Sequence, residues 1–230
     1  MLFIYAGAVP VGILLAWNLI LRPDLHKAHV TILGLAISII STTFLTDLFK
    51  DAIGRPRPDL IARCSPELGA PLDQLVTIDI CTETRHHLLH DGWRSFPSGH
   101  SSFSFAGLGW VALFFASQTH CLRPRASLIT VMLCVAPLVA AAMIAISRLE
   151  DYRHDVFDVV CGSLLGFTVT YFNWRRYYPC LRSTTCDEPF VPLESGRASP
   201  SGGFQRVRDE EEGYVSTGDD REAYGSRDQR

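Results

Sequence analysis

Residues 28–49 read AHVTILGLAISIISTTFLTDLF, a run without Lys or Arg and with a single carboxylate, Asp47, close to its end. About 20 such residues match the hydrocarbon core of a bilayer. Backbone N–H and C=O groups find no water there, so the segment must satisfy them internally, as a helix. Four more stretches read the same way: roughly residues 2–21, 102–117, 126–146 and 156–173. The expectation is an all-α fold, a polytopic membrane helical bundle with five spans. So many apolar runs in so short a length argue against a soluble protein with buried core helices. Residues 2–21 lack a charged leader and are followed by Arg22 rather than by a small-residue cleavage site, which reads as a span and not a secretory signal.

The charges are segregated. The chain has 230 residues, a mean hydropathy of +0.15, 20% charged residues and a net charge of -3. The apolar runs all fall within residues 1–178, expected to form the membrane-embedded domain. Residues 179–230, with seven Arg against eleven acidic residues, read as a disordered cytoplasmic tail. The overall charge is too small to suggest a nucleic-acid partner. Ser199-Pro200 is a candidate phosphorylation site in the tail, and Cys180 and Cys186 are candidates for acylation just past the last run.

Three polar clusters stand at the ends of the apolar runs. Lys50 ends the second run, where a cation complements a helix C-terminus, and Arg57 follows between Pro56 and Pro58, which restrict its backbone. Arg55 is the rival cation and is given a supporting role. Pro97-Ser98-Gly99-His100 opens the third run; glycine allows close backbone approach, and amides at a helix N-terminus favour an anion. Ser147-Arg148 closes the fourth run, and His154 and Asp158 lie four apart at the start of the fifth, on one helix face. A carboxylate beside an imidazole fixes its tautomer and stabilises its charged form. Crossing the bilayer five times would bring all three clusters to one side.

Cations, two imidazoles, a carboxylate and a glycine turn suit phosphoryl transfer through a histidine. No metal ligand set is complete: His86, His87 and His90 cluster in a loop, but nothing convincing completes a site. Cys64 and Cys81 share the loop that carries the first two clusters and read either as a disulfide or as two free thiols.

The clusters resemble the three motifs of the type 2 phosphatidic acid phosphatase superfamily. Lys50, Arg57 and Pro58 meet the first; Pro97 to His100 the second; Ser147, Arg148, His154 and Asp158 the third. The chain looks most like the fungal diacylglycerol pyrophosphate and lipid phosphate phosphatases, given residues 54–59 (GRPRPD) and 93–97 (WRSFP). The resemblance implies an integral-membrane phosphatase that needs no magnesium and no other cofactor. It implies a phosphohistidine intermediate and lipid phosphates drawn from the bilayer as substrates: phosphatidate, lysophosphatidate and diacylglycerol pyrophosphate. By motif, His154 is the nucleophile, His100 the acid and Asp158 the partner of His154. Lys50, Arg57, Ser98, Gly99 and Arg148 bind phosphate. The site would face the lumen of an endomembrane or vacuole, or the cell exterior. Family members usually have six spans, so the first family helix is expected to be missing here. The runners-up are a phosphatase for another membrane-bound pyrophosphate, such as an isoprenoid one, and a vanadate-type haloperoxidase, which the spans disfavour.

Overall fold

The computed structural model describes residues 4–67, 69, 78–124 and 126–191, with side chains from residue 6 onward. The tail features at 192–230, Ser199-Pro200 among them, lie outside the described residues. Among the described residues there are seven α-helices: α1 (Val9–Leu21), α2 (Leu25–Ile53), α3 (Leu60–Cys64), α4 (His86–Gly92), α5 (Gly99–Gln118), α6 (Leu128–Glu150) and α7 (Val156–Tyr177). A π-helical turn, Ile4–Ala8, leads into α1. Among the described residues the only β pairing is an isolated bridge between Pro66 and Cys81, so the all-α expectation holds.

The expected five spans are corrected to three. Among the described residues only α2, α6 and α7 are long and apolar enough to cross a bilayer. The run at 2–21 yields an apolar helix over Ala6–Leu21 that is too short; 1.5 Å of rise per residue leaves it well under the ~30 Å of a hydrocarbon core. The run at 102–117 forms α5, which has the length but is diluted by Gly99, Ser101, Ser102, Ser104, Gly107 and Gly109. Those small residues suit its position. α5 is buried on nearly every face, packed chiefly by α7, α6 and α2. A helix enclosed by helices meets backbone rather than lipid, and small side chains permit the close approach.

Helix ends are locally encoded. Asp24, Ser98, Ser127 and Asp155 cap α2, α5, α6 and α7 through their side chains. The apolar core lies at the end away from the three motifs: Leu14, Leu35, Trp110, Phe114, Trp174 and Tyr178. Trp174 stacks on Tyr178 at 4.1 Å, and the Tyr178 hydroxyl is 2.6 Å from Thr31 Oγ1 on α2. Burial raises the Tyr178 pKa to about 12, so the phenol stays protonated there. Residues beyond α7 continue to pack on this end. Cys186 is buried, Lys27 pairs with Glu188 at 3.2 Å, and the Phe190 amide donates to the Tyr177 carbonyl at 2.9 Å. The compact unit runs to Phe190.

Candidate active site

The C-terminus of α2, the N-terminus of α5, the C-terminus of α6 and the N-terminus of α7 meet at one end of the bundle. Backbone bonds tie the motif segments together. Arg57 N–H donates to Gly92 C=O at 2.8 Å, Ser95 N–H to Arg55 C=O at 2.9 Å, and Ser98 N–H to Asp158 C=O at 2.9 Å. The last bond needs α7 close to the start of α5, and Gly162 permits it: a Cβ there would lie 2.5 Å from the Ser98 carbonyl oxygen. The same economy serves Gly99, where a Cβ would stand 3.0 Å from Lys50 Nζ.

These segments enclose a cavity of about 340 Å³ whose wall includes Lys50, Arg57, Gly99, His100, Arg153 and His154. Asp158 stands directly behind His154. Its side chain is fully buried, and the His154 imidazole is only 2% exposed. Asp158 Oδ2 accepts from the Ser95 hydroxyl and, at 3.1 Å, from the Asp155 amide; Oδ1 accepts from Arg55 at 2.9 Å. His154 Nδ1 lies 3.6 Å from Asp158 Oδ2 and 3.4 Å from Ser95 Oγ. A separation of 3.6 Å is too long for a hydrogen bond. Ser95 therefore stands as the nearer partner, and both groups face Nδ1. Nε2 is left for chemistry in the cavity.

Five of the eight expected site residues thus share the wall: Lys50, Arg57, Gly99, His100 and His154. Asp158 supports one of them. Ser98 and Arg148 are off the wall. The Ser98 hydroxyl accepts from the Ser101 amide and hydroxyl at 3.4 and 3.0 Å, as the cap of α5. The Arg148 guanidinium donates to Ser147 Oγ and pairs with Asp151 at 2.8 Å. Arg57 is held by the Asp91 backbone carbonyl and carboxylate, both at 2.9 Å. Arg55 bridges Asp155 at 2.8 Å and Asp158 at 2.9 Å.

Sequence reasoning missed Ser95, Asp91 and Arg153. Ser95 sits in the residues 93–97 quoted above, but nothing local marks its hydroxyl as aimed at Asp158. Asp91 reads as one more loop charge. Arg153 immediately precedes His154, and that adjacency is the signal that could have found it.

Electrostatics favours neutral imidazoles. Burial, followed by the charges of Arg148, His154, Lys50 and Arg57, lowers the His100 pKa to about 4; burial likewise lowers that of His154. In the unfolded chain His100 titrates near ~6.5. The folded state therefore binds fewer protons between those values, and this group's contribution to stability falls as pH drops through that window. A dianion beside the ring reverses the preference by favouring the imidazolium. Anion binding should then take up protons. Sulfate tests this well because its charge is constant over the range. Its thermal stabilisation of the detergent-solubilised protein should grow as pH falls from about 8 to about 5, and His100→Asn should flatten that dependence. Equal stabilisation at both ends of the range would remove His100 from the anion's surroundings.

Among the described residues, the one group of three metal-ligand-type side chains that come close together is His120, Cys186 and Asp187. It lies at the opposite end of α5. Cys186 Sγ is 3.1 Å from His120 Nδ1 and donates to Ser117 C=O at 3.4 Å, so its polar needs are met within the protein.

A membrane helical bundle with a histidine-centred, guanidinium-lined cavity defines a class, and comparison with known proteins defines the family. The PAP2 superfamily model matches residues 31–182, and the chain belongs to that superfamily. It is 40% identical over 215 residues to Diacylglycerol pyrophosphate phosphatase 1 of Saccharomyces cerevisiae, covering 92% of this chain and 74% of that protein. It is 41% identical over 165 residues to Probable diacylglycerol pyrophosphate phosphatase 1 of Schizosaccharomyces pombe, and 36% identical over 174 residues to Lipid phosphate phosphatase 2 of Arabidopsis thaliana. Those alignments cover 71% and 76% of this chain, and the chain spans 59% of each of these two relatives. No solved structure matches.

Proposed function

We propose that this chain is an integral-membrane, magnesium-independent lipid phosphate phosphatase that hydrolyses phosphatidate, lysophosphatidate and diacylglycerol pyrophosphate through a phosphohistidine. The observation that carries the reading is the shared cavity wall: Lys50, Arg57, His100 and His154 converge on one space beside an apolar surface. That surface is a groove lined by Ile39, Ile40, Phe44 and Leu48 of α2 and Phe103 of α5, and it shares Thr43, Asp47 and Phe103 with the cavity. A headgroup fits the polar space while its acyl chain follows the groove.

In this mechanism Lys50, Arg57 and the amides at the start of α5 neutralise the phosphate oxygens. The protonated Nδ1 of His154 faces Ser95 and Asp158, and Nε2 attacks phosphorus in line. The N–P bond forms as the P–O bond to the lipid breaks. The departing oxygen keeps the electron pair and takes a proton from His100, charged once the dianion is bound. Water, deprotonated by the now neutral His100, then splits the N–P bond and releases phosphate. Preorganised charge and positioning supply most of the acceleration.

The disulfide between Cys64 and Cys81 supports a luminal or extracellular site, because it sits in the loop between the first two motifs and such bonds persist on oxidising sides. With α7 crossing the bilayer, the segment after it would be cytoplasmic.

The test is phosphate release from the three lipids in mixed micelles containing EDTA. Turnover at the same rate with and without EDTA is expected. An absolute requirement for added magnesium, or no release from any of the lipids, would sink the proposal.

A further inference from the structure

Three cations, Lys50, Arg57 and Arg153, share the cavity wall with two carboxylates, Asp47 and Asp91. Each wall carboxylate also meets a cation outside the wall, one that it shares with a second carboxylate: Arg63 also binds Asp59, and Arg94 also binds Asp51. Asp91 pairs with Arg63 at 3.0 Å as well as with Arg57, and Asp47 lies 3.9 Å from Arg94. Arg57 is engaged by Asp91 at 2.9 Å, which leaves Lys50 and Arg153 as the wall cations less closely paired. Arg153 is only loosely committed. Its nearest carboxylate, Asp59, is 3.7 Å away and is already bound by Arg63 at 2.8 Å.

Exposure separates Arg153 from His154: the His154 side chain is only 2% exposed, whereas that of Arg153, on the same wall, is 52% exposed and stands nearer to solvent. The two residues are neighbours in sequence, so their Cα atoms are ~3.8 Å apart. The turn before them is fixed: Arg153 N–H donates to Arg148 C=O at 3.1 Å, and Tyr152 adopts a left-handed conformation with φ 53°. A phosphorus attacked by His154 lies against this buried imidazole. The group attached to that phosphorus occupies the same cavity, whose wall also carries Arg153. In a phosphomonoester that neighbour is an ester oxygen and carbon, which offer a cation little. In a pyrophosphate it is a second anionic phosphate, which a planar guanidinium can bind through two oxygens.

We infer that Arg153 binds the lipid-proximal phosphate of a pyrophosphate substrate, making the site selective for pyrophosphate lipids over phosphomonoester lipids. The inference rests on the phosphatase reading above and deepens it. On phosphoryl transfer to His154 Nε2, the leaving group is then a lipid phosphomonoester whose new charge Arg153 stabilises as the bridging P–O bond breaks.

The test compares diacylglycerol pyrophosphate with phosphatidate in one micelle system, using wild type, Arg153→Ala and Arg153→Lys. Losing a charge-assisted contact should lower the pyrophosphate-to-monophosphate ratio of kcat/KM by about 10- to 100-fold in Arg153→Ala. Much of the loss should be in KM, and Arg153→Lys should restore part of it. Activity on phosphatidate reports folding of each variant. A second arm needs no turnover: inorganic pyrophosphate should stabilise the wild-type protein against heat more than inorganic phosphate does, and Arg153→Ala should erase that difference. Equal losses on both lipids, no loss on either, or indifference of the wild type to pyrophosphate over phosphate would overturn the assignment. If wild type turns over neither lipid, the phosphatase reading fails, and the binding arm alone decides the role of Arg153.

Discussion

His154→Gln lowers phosphate release by at least about 10^4-fold, the scale on which enzymes lose a covalent nucleophile. Glutamine nearly fills the imidazole's volume in a site that is almost wholly buried, so the variant should fold and keep its sulfate-induced stabilisation. What it lacks is a nitrogen lone pair backed by Ser95 and Asp158. Wild type quenched during turnover of radiolabelled lipid should carry phosphate in a linkage that acid cleaves and base spares, as expected of a phosphoramidate. His154→Gln should carry none. His100→Ala separates the two imidazoles. An acid is needed where the leaving group is an alkoxide and dispensable where it is a nitrophenolate. The variant should therefore lose far more activity on phosphatidate than on p-nitrophenyl phosphate, whereas His154→Gln loses both alike. Near-wild-type turnover by His154→Gln, or label recovered on it, removes His154 from the reaction.

How much of this was legible in the chain depended on whether the signal was local. The three motifs could be read because each is a short run with fixed spacing. His154 and Asp158 are a helical turn apart, Gly99 follows the cap of its own helix, and Lys50 ends a long apolar run. Helix existence was legible for the same reason, through unbroken apolar length. Lipid exposure was not, because it depends on what packs around a helix. The serines and glycines of α5 read as a modest apolar run, yet they belong to the helix that the others enclose. The run at 2–21 failed through geometry rather than composition, since its described helix is too short. Side-chain direction was the least legible. Ser98 and Arg148 match the motifs but also bond to immediate neighbours, Ser101 in one case and Ser147 and Asp151 in the other, while the charge of Arg148 still acts on His100. Ser95 and Asp91 act across long sequence separations, on Asp158 and Arg57, and no local pattern announces a partner so far along the chain.

Asp158→Asn and Arg55→Ala should fail in different ways, and the contrast measures what the buried carboxylate does. Asparagine keeps the shape but loses the charge that stabilises an imidazolium, and its amide can direct the wrong hydrogen toward Ser95 and Nδ1. The analogous change in the serine-protease triad costs about 10^4 in kcat through the wrong tautomer. Asp158 lies at 3.6 Å from Nδ1 with Ser95 nearer, so a smaller loss of about 10^2- to 10^3-fold is expected here, with KM little changed. Arg55→Ala leaves the carboxylate in place but strips the guanidinium paired with it at 2.9 Å. A buried carboxylate left unpaired costs up to about 3–5 kcal/mol. Arg55 is partly exposed, so water can enter the space it leaves, and the Ser95 and Asp155 donors remain. Those factors reduce the expected loss to about 1–3 kcal/mol of stability. Arg55→Lys should recover little of it, because one ammonium cannot span Asp155 and Asp158 as the guanidinium fork does. Thermal unfolding in detergent and steady-state kinetics on the same preparations give both readouts. Asp158→Asn should fall chiefly in kcat and Arg55→Ala chiefly in stability. If instead Asp158→Asn turned over lipid at the wild-type rate, the carboxylate would be a structural anchor for the start of α7, and His154 would owe its orientation to Ser95 alone.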